Sequence, residues 1–327
     1  MFDNFCRKTL RNSETKGSVV LLCFLLFSGC HTQDARISDA ETHKFDGKTL
    51  LEARASFVTK LRESPHYESE RMVAIPPEGL MEMVHYPSPL GDMVAYLSPD
   101  PGDGKRHPAI IFVKGGFGGI GSWLFEAAPE ENDQSVLQFL DEGIITMTPS
   151  FRGENGNPGQ FELFYGEVED LLHALEYLRG IAYVDPERIY LAGHSTGGTL
   201  ALLAATSTNG FRAIFSFGGA PDLLRVVGDG EGYGNTPFNF KSRDESLLRS
   251  PIAFVGAITT PTFYFEGEQS IYVKDAERMG SIALMKKVPF EARILLGANH
   301  FNILAPLKRE IAEKILLDTG ERCNIGF

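Results

Sequence analysis

Several things are scarce in this chain of 327 residues, and each scarcity excludes something. There are only four cysteines, so a disulfide-stapled scaffold is excluded as the organising principle. Basic residues are outnumbered, 31 Lys and Arg against 43 Asp and Glu, for a net charge of −12. An acidic surface disfavours nucleic acid and anionic lipid headgroups as partners. The apolar run Val19 to Phe27 is about half of the roughly 20 residues that a membrane-crossing helix needs. Internal repeats and low-complexity tracts are absent. No Gly-Lys-Ser/Thr follows the glycine-rich turn near residue 116, and the G-x-G-x-x-G spacing is missing, which argues against a phosphate cradle. No metal or organic cofactor is implied.

What is present describes an ordinary globular protein: 43% hydrophobic, 23% charged and 11% aromatic residues. The first thirty residues differ from the rest. Arg7, Lys8, Arg11 and Lys16 precede the apolar run, which ends in Ser28-Gly29-Cys30. That arrangement has the form of a secretory signal. Its ending resembles a bacterial lipobox, which implies cleavage before a lipidated Cys30. Residue 31 is His rather than Asp, so no inner-membrane retention signal is evident. With Cys6 and Cys23 removed and Cys30 acylated, only Cys323 remains as a thiol. The expected organisation is a lipoprotein signal peptide over 1–30, a tether and N-terminal helix over 31–80, and a catalytic domain over 81–327. The expected place is the bacterial cell envelope, with membrane contact only through the lipid anchor.

Along the chain, 31–46 is polar and suits a flexible tether, and the apolar spacing over Gly47 to Arg62 predicts one helix. Strands are expected at Met81–Tyr86, Asp92–Leu97, Ala109–Val113, Ile144–Thr148, Ile189–Leu191, Ala213–Phe217, Thr262–Phe265 and Ala292–Leu296. Helices are expected at Ser135–Leu140, Glu167–Leu178, Leu200–Ala205 and Leu304–Leu317. Strands alternating with helices argue for an α/β architecture, a mostly parallel sheet of eight strands with helices on both faces. Leu223 to Thr260, with Gly228, Gly230, Gly232 and Gly234, is expected to be a small lid over the site.

The most informative stretch is Tyr190-Leu191-Ala192-Gly193-His194-Ser195-Thr196-Gly197-Gly198. It places G-x-S-x-G between a β-prone run and an apolar helical run. Such a turn lifts a serine hydroxyl toward substrate while the helix beyond it presents unpaired N–H groups. A serine nucleophile needs a base within hydrogen-bond reach. Of eight histidines, His31, His43, His66 and His85 precede the main sheet, and His107 enters its first long strand. His173 lies on the charged side of a helix, and the His194 side chain is expected to point away from the Ser195 hydroxyl. His300 remains, in a loop after the last strand. The alternative is an ordinary loop histidine. For the oxyanion, the backbone N–H of Thr196 is one expected donor; Gly116, or else Phe117, in Lys114-Gly115-Gly116-Phe117-Gly118-Gly119 is the other.

The chain resembles the α/β-hydrolase superfamily, nearest to the prolyl oligopeptidase-like catalytic domain and the dienelactone hydrolase-like esterases. The resemblance rests on Ser150-Phe151-Arg152-Gly153, Gly166-Glu167-Val168-Glu169-Asp170, and Tyr183 to Ile189 leading into the elbow. Ser250-Pro251-Ile252 and Gly297-Ala298-Asn299-His300 complete it, over roughly residues 85–320. It implies a Ser-His-acid triad and a histidine where Lys114 stands, a change that a backbone donor tolerates. The acid is implied three residues after the glycine ending the penultimate strand, where Ser270 stands. Glu268 is the first choice in its place, with Glu266, Asp222 and Asp275 as alternatives. No room exists for the β-propeller that many peptidases of the group carry, which favours an ester substrate over a short peptide. The expected protein is a lipid-anchored serine hydrolase working through an acyl-enzyme. The alternatives are a peptidase of the same group, or a binding lipoprotein whose triad has decayed.

Overall fold

The computed structural model describes residues 36–62, 72–228 and 236–327. The signal segment with Cys30, and the lid glycines 230, 232 and 234, lie outside the described residues.

One sheet of eight strands organises the protein. The strands are β1 (Glu82–Ser88), β2 (Gly91–Leu97), β3 (His107–Val113), β4 (Ile145–Pro149), β5 (Val184–His194), β6 (Ile214–Phe217), β7 (Thr262–Gly267) and β8 (Phe290–Leu295). Their spatial order is β1-β2-β4-β3-β5-β6-β7-β8. The pairs β1/β2 and β2/β4 are antiparallel, and every later pair is parallel. The helices are α1 (Leu50–Arg54), α2 (Leu137–Asp141), α3 (Glu167–Arg179), α4 (Thr196–Ala205), α5 (Leu223–Gly228), α6 (Arg243–Leu247), α7 (Val273–Lys286) and α8 (Leu304–Leu317).

Strand alternation divides the core into two layers. On β3, Ala109, Ile111 and Val113 face the layer that holds residues of α3, α4 and α7. Ile110 and Phe112 face the layer of α2 and α8. The central strands are therefore buried on both faces, which is why they are continuous apolar runs. This is the α/β-hydrolase fold, an eight-stranded, mostly parallel sheet covered on both sides by helices.

The main departure from expectation is at the amino-terminal side. The helix expected over 47–62 is a single turn, α1, opened by a capping box between Thr49 and Glu52. Arg54 stops it. Its guanidinium donates to the carbonyls of Leu248, Tyr165 and Phe164 and lies 4.4 Å from the Tyr165 ring centre. Beyond it Leu61 forms a β-bridge with Phe238. The described part of the polar 31–46 segment also packs on the domain. Ile37 is fully buried, and its N–H donates to Asp222. The 223–260 segment contains α5, α6 and a 3-10 stretch, Pro251–Ala257, that packs into the core through Ile252, Phe254 and Val255.

One buried ion network ties the β4–α3 connection to the sheet. Arg152 donates to Asp170 through Nε and Nη2 at 2.8 Å each, to Glu162 at 2.8 Å and to Glu169 at 3.2 Å. Asp170 is fully buried and Ser88 on β1 donates to it, so the network also reaches the sheet edge. Removing one member leaves the other charge buried without compensation. Arg152→Ala is expected to lower the unfolding free energy by about 3–5 kcal/mol, read as a reduced urea midpoint at pH 7. A midpoint within experimental error of wild type contradicts this account of the loop.

Candidate active site

The site forms where β5 ends. Ser195 stands between β5 and α4 with φ 53° and ψ −112°, a conformation that L-residues adopt only under constraint. Two glycines make the turn possible. A Cβ at Gly193 would lie 2.2 Å from the Gly197 carbonyl oxygen, and one at Gly197 would lie 2.1 Å from the Val113 oxygen. The Ser195 N–H donates to the Phe217 carbonyl at 2.7 Å, which ties the elbow to β6.

The β3–α2 turn lies over the same point. A Cβ on Gly115 would touch His194 Nδ1 at 2.6 Å and Ser195 Cβ at 3.4 Å. The Gly116 carbonyl accepts from Thr196 Oγ1 at 2.8 Å and from Lys114 Nζ at 2.9 Å. Thr196 thus fastens the turn to the start of α4, and Lys114 braces it from within. Glu154 ties it to the loop after β4, accepting the Gly118 N–H at 2.9 Å. Gly116, Phe117 and Thr196, the expected oxyanion donors, therefore share one corner beside Ser195 and line one cavity.

The loop after β8 brings His300 to the same place. Its imidazole lies on Gly218, where a Cβ would fall 2.4 Å from His300 Cε1. Gly218 directly follows Phe217, the residue that holds the Ser195 N–H. His194 adds a second tie, its Nε2 standing 3.1 Å from the His300 carbonyl oxygen. The loop closes on itself through Asn299 and Asn302, and a Cβ on Gly267 would strike the Asn299 backbone at 2.5 Å. Ser195 and His300 are thus each placed against the Phe217–Gly218 end of β6.

Of the four candidate acids, the first choice Glu268 does not face His300, and the alternative Glu266 does. Glu268 is exposed, and its Oε2 accepts the Gly297 N–H at 2.9 Å, which turns the side chain along the loop. Ser270 accepts the Tyr272 N–H. Asp222 is occupied by the Ile37 and Arg225 N–H groups, and Asp275 by Arg225. The carboxylate that faces His300 is Glu266, fully buried, with Oε1 3.6 Å from Nδ1. Tyr264 Oη donates to the Gly219 carbonyl at 2.5 Å and lies 3.2 Å from Glu266 Oε2, and the Gly267 N–H donates to Oε1 at 3.1 Å. His300 Nδ1 is buried and has no hydrogen-bond partner among the described residues. Glu266 is the last side chain of β7 before Gly267, and it shares a strand face with Tyr264, two residues back.

His194 was set aside at the sequence level because it cannot serve Ser195, yet it belongs to the site. Its ring is buried, with Nδ1 2.9 Å from Gln134 Oε1. Burial, reinforced by the neighbouring His300, lowers its pKa from 6.5 to about 3. The unfolded chain takes up a proton at this residue below about pH 6.5, while the folded protein does so only near pH 3. The stability held by neutral His194 is complete above pH 6.5 and is lost progressively as the pH falls toward 3. A His194→Gln variant is expected to lose less of its urea midpoint than wild type between pH 7 and pH 4.5. Parallel pH profiles for the two proteins contradict the assignment.

Comparison with known proteins places this geometry in a family. The chain is 25% identical over 188 residues to the uncharacterized peptidase YtmA of Bacillus subtilis, covering 55% of this chain and 69% of that protein. The acylaminoacyl peptidase of Pyrococcus horikoshii superposes with a TM-score of 0.59 at 19% identity, over 76% of this chain and 43% of that one. The Est2 esterase of Thermogutta terrifontis superposes with a TM-score of 0.54 at 21% identity, over 78% of this chain and 98% of that one. Against other curated relatives the chain spans about a third of their length. Residues 131–316, more than half of the chain and including both Ser195 and His300, match the prolyl oligopeptidase family, to which this protein belongs.

Proposed function

We propose that this protein is a serine hydrolase that cleaves carboxylic esters through an acyl-enzyme. The observation that carries the reading is the convergence of the strained Ser195 elbow, the His300 imidazole over Gly218 and the buried Glu266 behind it. In this reading Ser195 Oγ attacks the carbonyl carbon while its proton passes to His300. The carbonyl π electrons move to oxygen, and the N–H groups of Thr196 and of Gly116 or Phe117 receive that charge. As the tetrahedral adduct collapses, His300 returns the proton to the leaving group. Water then repeats the sequence on the acyl-enzyme. Glu266 holds the imidazole and stabilises its charged form.

A second reading shares this machinery and makes the substrate a short peptide. The family and the resemblance to YtmA support it as strongly as the esterase likeness supports the first. A decayed binding protein has less to stand on, because its premise was a missing acid and a buried carboxylate faces His300.

Ser195→Ala is expected to abolish both fluorophosphonate labelling and turnover of 4-nitrophenyl esters. Glu266→Gln is expected to lower kcat by about 10³–10⁴-fold, and Glu268→Gln by no more than a few-fold. Labelling that persists without Ser195, or a larger loss from Glu268 than from Glu266, contradicts the proposed constellation. Parallel assays on aminoacyl 4-nitroanilides decide between ester and peptide.

We also propose that the lipoprotein signal is cleaved before Cys30, removing residues 1–29, and that Cys30 carries the anchor in the bacterial envelope. The Ser28-Gly29-Cys30 ending of the apolar run supports this. Detergent-phase partitioning of the full chain, lost in Cys30→Ala, is the expected result. Equal partitioning of the two proteins contradicts it.

A further inference from the structure

Helix α8 buries the face that carries Leu304, Leu307, Ile311 and Ile315, a spacing that calls for apolar side chains. Lys308 stands on that same face and is fully buried. Its Nζ lies 5.8 Å from the Phe112 ring centre and donates to the Asp133 carbonyl at 2.8 Å and the Ser135 carbonyl at 2.5 Å. The Asp133 carboxylate stands back at 3.7 Å and accepts the Ser135 N–H at 2.9 Å. Burial lowers the Lys308 pKa to about 8, so the cation is kept there at a cost that an apolar residue would not incur. Its effect is to fix the backbone on both sides of Gln134.

Gln134 carries that placement to the base. Its carboxamide lies 2.9 Å from His194 Nδ1, and His194 Nε2 lies 3.1 Å from the His300 carbonyl oxygen. The chain then runs from His300 into α8, which carries Lys308. These contacts close a ring made of α8, the 133–135 segment, His194 and the His300 loop.

The protons of His194 restrict what can stand at position 134. Burial, reinforced by His300, lowers the His194 pKa to about 3, so the ring is neutral near pH 7 and has a single N–H. The His300 carbonyl can only accept, which puts that N–H on Nε2 and leaves Nδ1 an acceptor. A carboxamide exchanges its NH2 and its oxygen by a half turn, so Gln134 can meet that acceptor with a donor. A carboxylate has no donor to offer.

We infer that Gln134, set in place by Lys308, is a positioning residue for the general base. It selects the His194 tautomer whose Nε2–H holds the His300 carbonyl, and with that carbonyl the imidazole that serves Ser195. The inference rests on the serine hydrolase reading.

The test follows 4-nitrophenyl acetate turnover and the rate of fluorophosphonate labelling at Ser195. Gln134 is half-buried, so its variants are expected to fold. Gln134→Leu removes the donor and is expected to lower kcat by about threefold to tenfold, the worth of one hydrogen bond, with KM within about twofold of wild type. The labelling rate is expected to fall by the same factor, because it draws on the same base. Gln134→Glu is expected to depend on pH. Its carboxylate draws the single imidazole proton to Nδ1 and leaves Nε2 with nothing to donate, and a second proton from solvent restores the bond. The titratable groups that face His194 are His300 and Lys308, so kcat is divided by the wild-type value at each pH. That ratio is expected to rise about tenfold from pH 8.5 to pH 6 for Gln134→Glu and to stay flat for Gln134→Leu. An added negative charge acting only through its field favours the protonated base and makes the ratio fall instead. A flat or falling Gln134→Glu ratio, or a loss carried by KM instead of kcat, overturns the positioning role and leaves the hydrolase reading standing where Ser195 is labelled. Absence of both turnover and Ser195 labelling in the wild-type protein overturns both.

Discussion

The structure depends on one steric constraint: β5, α4 and the end of β3 approach each other more closely than side chains allow. With hydrogen at Gly193 and Gly197, the α4 backbone comes down onto the Val113 carbonyl. That approach leaves Ser195 little choice of backbone conformation, and the serine takes the strain. It also brings the Lys114–Gly119 turn over the elbow, since that turn leaves the same end of β3. The Thr196 and Lys114 side chains then lock the turn through a single carbonyl, that of Gly116. The nucleophile and both expected oxyanion donors are thus placed by one close contact.

A second layer of constraint is electrostatic. Arg54, Arg152 and Arg249 are buried: Arg54 holds loop carbonyls, Arg152 pairs with Asp170 on α3, and Arg249 holds the Glu162 carbonyl and pairs with Glu245 on α6. Arg54 and Arg249 both lie against the Tyr165 ring, with guanidinium carbons 4.4 and 4.8 Å from its centre. Buried ion pairs contribute little net stability compared with apolar packing of the same volume. Their effect here is geometric. They hold the 150–166 connection in one path.

The sheet was legible in the sequence because its central strands are buried on both faces and stand out as apolar runs. The elbow was legible because its glycines, serine and flanking runs are local. His300 could be found by asking which histidine follows the last strand. The acid could not be found in this way. Position relative to Gly267 pointed past the glycine to Ser270 and Glu268, whereas the carboxylate facing His300 stands before it. The contact between Gly267 and Asn299, which places the His300 loop against the end of β7, is not local in sequence. The helix expected over 47–62 failed for a related reason. Its apolar spacing was real, but the carbonyls that capture Arg54 belong to residues more than a hundred positions away. A side chain expected to point away from the serine hydroxyl gives no sign in the sequence that it holds the His300 backbone.

The use of glutamate rather than aspartate follows from its place on a strand instead of in a loop. A loop acid can move its backbone toward the imidazole, but a strand residue cannot, because β6 and β8 flank β7 on both sides. Reach must then come from the side chain, and the extra methylene supplies it. Rigidity has a compensating benefit. The Gly267 N–H fixes Oε1 of Glu266, the oxygen turned toward His300 Nδ1. With the carboxylate out of water, its field on the ring is less screened than that of an exposed loop acid such as Glu268. In the proposed mechanism this field acts when the imidazole becomes charged, so an acid fixed on a strand orients the base and stabilises its cation without moving.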